Sequence, residues 1–317
     1  MKAKHVIIYL LLVIVTSSCI RDEAPNAEAD ILSCRLPGIT MTTSPIINNN
    51  SVTLFVTPGT NISALAPEFT LTSGATITPA SGTERNFNSP QEYQVTAADG
   101  IWKKTYAISV IDTELATIYN FEDTISGKKY YIFVERENDK VIMEWASGNA
   151  GYAMTGVAKT ADDYPTFQIA NGKNGKCLSL VTRSTGFFGG LVGMPIAAGN
   201  LFIGSFDVNN AMSNPLQATK FGLPFRHVPT YLAGYYKYKA GDQFTEGGKP
   251  VEGKRDICDI YAIMYETSVS VPTLDGTNAF TSPNLVSMAR IKDAKETDEW
   301  TYFKLPFTTL PGKFIDK

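Results

Sequence analysis

The residue pattern predicts an all-β chain: an immunoglobulin-like β-sandwich followed by a larger β-sandwich jelly roll. Three observations carry this expectation. Apolar and polar residues alternate over short stretches, as they do on a strand with one buried face. Turn residues, glycine and proline above all, punctuate those stretches. No segment keeps a helical apolar stripe over three turns.

Taken in order, residues 1–19 read as an export signal. Lys2 and Lys4 form a basic start, Val6 to Val15 an unbroken apolar run, and Thr16-Ser17-Ser18 a small polar step before Cys19. Ten apolar residues are too few to span a bilayer as a stable helix. A cysteine in this place is the acceptor that bacterial lipoprotein processing needs. Its thiol is acylated and it becomes the new amino terminus, and several acyl chains hold where one would not. Thr16 stands where the usual lipobox has Leu, so a soluble export signal with Cys19 incidental is the competing reading. Residues 20–30 are polar, carry Pro25 and lack periodicity, and are expected to be a tether.

Residues 31–112 alternate clearly. Val52, Leu54 and Val56 share one face, Tyr93, Val95 and Ala97 another, and Tyr106, Ile108 and Val110 a third. Asp99-Gly100 between the last two predicts a hairpin, because glycine accepts the positive φ of a tight turn. Pro58-Gly59 and Ser73-Gly74 mark further turns. Such a segment makes a small antiparallel sandwich of immunoglobulin type, with the role of a spacer or platform.

Residues 113–317 have longer segments, dense in glycine and aromatic residues. Strands are expected at 177–183, 201–206, 231–239, 257–266, 285–291 and 300–307. The run 257–265 is apolar on both faces and reads as a central strand. Many strands joined by long loops suit a jelly roll.

Composition excludes several functions. The net charge of −3 becomes about −5 without Lys2 and Lys4, and the basic residues are scattered, so no footprint for nucleic acid appears. With Cys19 acylated, Cys34, Cys177 and Cys258 remain, an odd set without CxxC spacing that fits neither a disulfide scaffold nor a zinc site. Cys177 and Cys258 read as small buried hydrophobes, with a bridge between them as the alternative. His227 is the single histidine after the signal, which leaves no multi-histidine metal site, and near two prolines it reads as a loop residue. No cofactor fingerprint occurs.

What the chain does offer is side chains of the kind that hold sugars: aromatic faces that stack on C–H surfaces, and polar groups that bond hydroxyls. They cluster at Tyr231, Tyr235, Tyr236, Lys237 and Tyr238, at Trp145 with Asn149, and at Arg183 with Asp207. On a strand Tyr235 and Lys237 point one way while Tyr236 and Tyr238 point the other, so one set is core and the other exposed or pocket-lining. For each tyrosine a core role with a bonded hydroxyl competes with sugar contact. A glycosidase needs two carboxylates about 5 to 10 Å apart. Asp207, Asp256, Asp259 and Glu266 are available, but Asp256 and Glu266 would stand about 33 Å apart on one extended strand, so no catalytic pair is recognisable.

With those residues laid out, the segment from Leu180 to Tyr265 resembles the putative carbohydrate metabolism domain of Bacteroidetes lipoproteins. The matching stretches are 181–186 (VTRSTG), 195–202 (PIAAGNLF), 221–225 (FGLPF), 229–232, 234–241 and 256–265, and more loosely 145–151 (WASGNAG) back to Phe121. The preceding sandwich resembles the immunoglobulin-like module that often stands before this domain, and Arg21-Asp22-Glu23 resembles an acidic tag for export to the outer-membrane surface. The resemblance implies a jelly roll with a pocket on its concave sheet and a glycan or oligosaccharide ligand, while the residues themselves lead to the expectation of no cofactor and of membrane attachment through the lipid anchor alone. Family members usually continue through a further pair of strands, so a jelly roll truncated at its C-terminal edge is expected. Trp145, Asn149, Arg183, Tyr235, Tyr236, Lys237 and Asp256 are the candidate carbohydrate-binding residues. A surface lipoprotein that binds carbohydrate is the leading expectation, with a glycoside hydrolase and a purely adhesive protein as alternatives.

Overall fold

The computed structural model describes residues 26–268 and 270–314. The export signal, Cys19 and the start of the tether lie outside them. No helix among the described residues is long and apolar enough to cross a membrane. From Asn26 the expected tether is already docked on the first sandwich. The Glu28 carbonyl accepts from the Thr72 hydroxyl at 2.8 Å, Ala29 is buried, and the Asp30 carboxylate accepts from the Tyr106 hydroxyl at 3.0 Å and pairs with Lys104.

The first sandwich has seven strands: β1 (Ile31–Arg35), β2 (Ile46–Ile47), β3 (Ser51–Phe55), β4 (Glu68–Leu71), β5 (Thr76–Thr78), β6 (Gln91–Thr96) and β7 (Lys103–Ile111). One sheet runs β2-β3-β7-β6-β5 and the other pairs β1 with β4. The three alternating faces expected from sequence all point into one core: Val52, Leu54, Val56, Tyr93, Val95, Ala97, Tyr106, Ile108 and Val110 are each at most 4% exposed. Between β6 and β7 the Ala97 N–H donates to the Trp102 carbonyl at 2.9 Å, and Gly100 has φ 71°, the positive value the turn requires. One relation differs from the expected antiparallel arrangement. β3 and β7 pair in parallel, Ser51 against Ala107 through Phe55 against Ile111. The long excursion between them supplies the crossover that a parallel pair needs and a hairpin cannot give.

The second part is again built of strands: β8 (Val134–Glu137), β9 (Lys140–Ala146), β10 (Thr166–Ile169), β11 (Cys177–Leu180), β12 (Arg183–Ser184), β13 (Ile196–Ala197), β14 (Phe202–Phe206), β15 (Thr219–Phe221), β16 (Tyr231–Tyr238), β17 (Thr245–Glu246), β18 (Lys249–Pro250), β19 (Tyr261–Tyr265), β20 (Leu274–Asp275), β21 (Leu285–Arg290), β22 (Thr297–Pro306) and β23 (Thr308–Thr309). A five-stranded sheet runs β20-β15-β14-β9-β8, a three-stranded one β19-β21-β23, and β16 pairs with β22. The architecture is an all-β sandwich type, and the α-helices among the described residues are four to six residues long. The β8–β9 hairpin was not foreseen. Its turn residues Asn138 and Asp139 both take positive φ, 48° and 66°, as a two-residue hairpin loop demands.

Two further expectations are corrected. The strand expected at 257–266 begins only at Tyr261 and pairs with β21 alone, so it is an edge of its sheet rather than a central strand. Its residues are half-buried on both faces, which explains the continuous apolar run. Cys34, Cys177 and Cys258 are all free thiols, so the alternative of a Cys177–Cys258 bridge is not realised.

The two parts meet through charge and apolar contact. Lys140 of the second part pairs with Asp112 of the first at 2.6 Å, and within the second part His227 Nε2 lies 2.7 Å from Glu114 Oε2. Phe55, Pro58 and Ile111 on one side and Ile142, Leu223 and Pro224 on the other line the cleft between them.

Candidate functional site

The β16–β22 pair carries the most exposed aromatic surface near the predicted residues. The strands are in register from Tyr231 opposite Pro306 to Tyr236 opposite Thr301, with Tyr235 directly opposite Tyr302. Period-two alternation then separates two faces. Leu232, Gly234, Tyr236 and Tyr238 turn inward with Phe303 and Leu305 and are half-buried. At Gly234 the Phe303 ring lies close against bare backbone, since a Cβ there would stand 3.0 Å from the ring. Tyr236 packs on Phe303 with ring centroids 6.2 Å apart, and its hydroxyl donates to the Lys295 carbonyl at 3.3 Å.

The outer face presents Tyr231, Tyr235 and Tyr302, which are 51%, 47% and 54% exposed, values that place ring surface in solvent on three neighbouring side chains. Tyr235 and Tyr302 rings lie 5.2 Å apart. Three lysines sit on this face: Lys173 Nζ is 4.2 Å from the Tyr235 ring centroid, Lys304 Nζ 4.1 Å from Tyr231, and Lys237 Nζ 5.4 Å from Trp300. Lys173 comes from the turn between β10 and β11, so that hairpin leans over the strand pair. The thiol of Cys177 on β11 is pushed up by burial and by Glu122, and Lys237 opposes the shift.

Of the predicted residues, the structure therefore brings Tyr235 and Lys237 to the exposed face and turns Tyr236 to the other. Asn149 is completely buried. Its amide donates to the Thr166 carbonyl at 2.7 Å and accepts from the Thr166 N–H at 3.1 Å, so it clamps the start of β10. Arg183 donates to the Asp162 carbonyl at 3.1 Å and lies over the Phe167 ring at 5.6 Å. Asp256 is exposed in the loop before β19, not on a strand, and its charge bears on Tyr238, whose hydroxyl is pushed up to about 12, by burial first.

Trp145 belongs to a second cluster. Its indole N–H donates to Glu135 Oε1 at 2.8 Å, and its ring meets Tyr119 at 5.0 Å and Phe121 at 5.5 Å. Glu135 lies beside the buried Phe133 and Met143 on one face of the β8–β9 ladder. Burial pushes the Glu135 carboxyl up, the Trp145 hydrogen bond opposes this, and the neighbouring charge of Asp123 adds to it. The acids singled out from sequence are committed elsewhere. Asp207 accepts from Asn209 N–H at 3.0 Å and Asn210 at 2.6 Å, Asp259 holds Arg290 through bonds of 3.0 and 2.7 Å, and Glu266 lies 3.6 Å from Lys313. No group of three or more potential metal ligands occurs among the described residues.

Tyr302, Trp300, Lys304, Lys173 and Glu135 were missed by sequence reasoning. The alternation Trp300-Tyr302-Lys304 was a usable signal, but nothing local shows that it pairs with Tyr231-Tyr235-Lys237.

Residues 120–317 match the model of the family described as "Putative carbohydrate metabolism domain". The chain belongs to this family. Residues 31–110 match a second model, described as the N-terminal domain of SGBP, surface glycan-binding proteins. A crystal structure described as a putative glycoside hydrolase from Bacteroides thetaiotaomicron is 85% identical, with a TM-score of 0.90, covering 93% of this chain and 87% of its own. Another so described, from Bacteroides vulgatus, is 47% identical with a TM-score of 0.60, covering 64% of this chain and 83% of its own. No curated protein matches the chain.

Proposed function

We propose that this family member is a carbohydrate-binding lipoprotein of the outer-membrane surface, held through Cys19, that takes its glycan on the outer face of β16–β22. The observation that carries the reading is the row of half-exposed rings at Tyr231, Tyr235 and Tyr302. Stacking on a sugar needs flat ring faces that are open to solvent and held rigidly. A tyrosine on a paired strand supplies both at low entropic cost. Tyr231 and Tyr235 stand about 13 Å apart along the strand, so the row suits an extended chain rather than a single sugar. The match of the first sandwich to glycan-binding surface proteins supports the same reading. Calorimetry against a panel of plant, host and microbial polysaccharides tests it, with Tyr235→Ala and Tyr302→Ala together expected to weaken any binding tenfold or more. Binding that survives both substitutions would remove this face from the account.

A second reading, hydrolysis, is favoured by Glu135. A general acid needs a carboxyl raised toward the working pH, and burial raises this one beside a second carboxylate, Asp123. Turnover of a confirmed glycan that persists in Glu135→Gln would eliminate it.

A further inference from the structure

We infer that the ligand of the β16–β22 face is an acidic glycan, one whose sugars carry carboxylate or sulfate groups. This rests on the reading of that face as the glycan platform and deepens it by naming the ligand's charge.

The argument starts from where the lysines are. Lys173 and Lys304 hold cations over Tyr235 and Tyr231, at 4.2 and 4.1 Å, and Lys237 stands 5.4 Å from Trp300, beside Tyr302 in the second row. Along the rows Tyr231-Ala233-Tyr235-Lys237 and Trp300-Tyr302-Lys304 there is no carboxylate, and Asp298, the next position in the second row, lies beyond the irregularity in the ladder at Tyr236–Tyr238. The two strand rows are thus cationic on a chain whose net charge is −3, and the acid at the β10–β11 turn, Glu122, is engaged by the Lys176 N–H at 2.9 Å. General attraction to polyanions is absent, and any preference for them has to come from a place such as this.

Ring and lysine also compete. An ammonium over a ring occupies the surface on which a sugar would stack. At an exposed site that contact is weak and the stem is flexible, so the cation is readily displaced. A neutral glycan stacked on Tyr235 and Tyr231 would displace Lys173 and Lys304 and give them nothing in return. An acidic glycan lets each swing from the ring to an anionic group, forming a charge-assisted contact while the C–H face takes its place on the tyrosine. The lysines therefore penalise neutral chains and reward charged ones, which is how specificity is commonly built.

The test uses the intact lipid-free protein and three polymers: polygalacturonate, its carboxyl-reduced form, and dextran sulfate. Affinity for a charged polymer is expected to exceed that for the carboxyl-reduced one at least tenfold and to fall as NaCl rises. The triple variant Lys173→Gln, Lys237→Gln, Lys304→Gln is expected to close that gap, and Tyr235→Ala to weaken the charged polymer as well. Preference for polygalacturonate over dextran sulfate identifies carboxylate as the recognised group, and the reverse identifies sulfate. Equal binding to polygalacturonate and its reduced form, with dextran sulfate no tighter, overturns the acidic assignment while leaving the platform standing. Charged-polymer binding that ignores Tyr235→Ala, or no binding to any of the three, overturns both.

Discussion

Tyr235 and Tyr302 face each other across the antiparallel ladder with ring centroids 5.2 Å apart and about half of each exposed, while the next pair, Tyr236 and Thr301, is turned inward. Adjacent tyrosines on one strand thus meet different surroundings, and the consequences of removing them differ.

Tyr235→Ala is expected to cost glycan affinity and leave unfolding free energy within about 0.5 kcal/mol, as for an exposed side chain. Tyr236→Ala removes a ring packed on Phe303 and is expected to cost about 1–3 kcal/mol of stability, with little change in the affinity of the folded protein. Urea titration and calorimetry on the two variants check this. Equal losses of affinity would mean that the faces are not functionally distinct.

Asn149 makes a donor and an acceptor bond to one backbone residue in complete burial. Asn149→Ala leaves both Thr166 groups without their partner and should destabilise the protein by about 2–3 kcal/mol. Glycan affinity measured well below the lowered melting temperature should stay as it was. A variant of unchanged stability that loses binding would restore Asn149 as a contact residue.

Trp145 reports on Glu135, since its indole N–H bonds that carboxyl. Because the folded carboxyl is raised by burial first, the fold favours its neutral form, and this contribution is fully present below the unfolded pKa and lost as pH rises through the folded one. Fluorescence of Trp145 should therefore titrate above the usual carboxylate range, and Glu135→Gln should abolish the step. A step unaltered by that substitution would assign it to another group.

Cys34 is buried in the first sandwich, and burial pushes its thiol up to about 12. The fold favours the neutral thiol, so its contribution is complete below about pH 9 and lost as pH climbs from there toward 12. Cys34→Ala should flatten that alkaline decline, at a cost of about 1 kcal/mol at neutral pH. In the native protein iodoacetamide should modify the half-buried Cys177 and Cys258 first, as mass spectrometry would show. Early labelling of Cys34 would contradict its burial.

How much was legible in the chain depended on how local the determinant was. The faces of β3, β6 and β7 were readable because alternation and the Asp99-Gly100 turn act within a few residues, and all nine predicted side chains lie in one core. For the same reason the sequence separated Tyr235 and Lys237 from Tyr236 and Tyr238. It did not say which set would be outside, that β3 and β7 would run parallel, or that Asn149 would clamp a strand. Nor did it show Tyr302, Lys304 and Lys173 arriving at the same face. Those were decided by the pairing of β16 with β22 and by the lean of the β10–β11 hairpin. Contacts between distant segments depend on which surfaces the whole chain can bury together, and no single stretch carries that information.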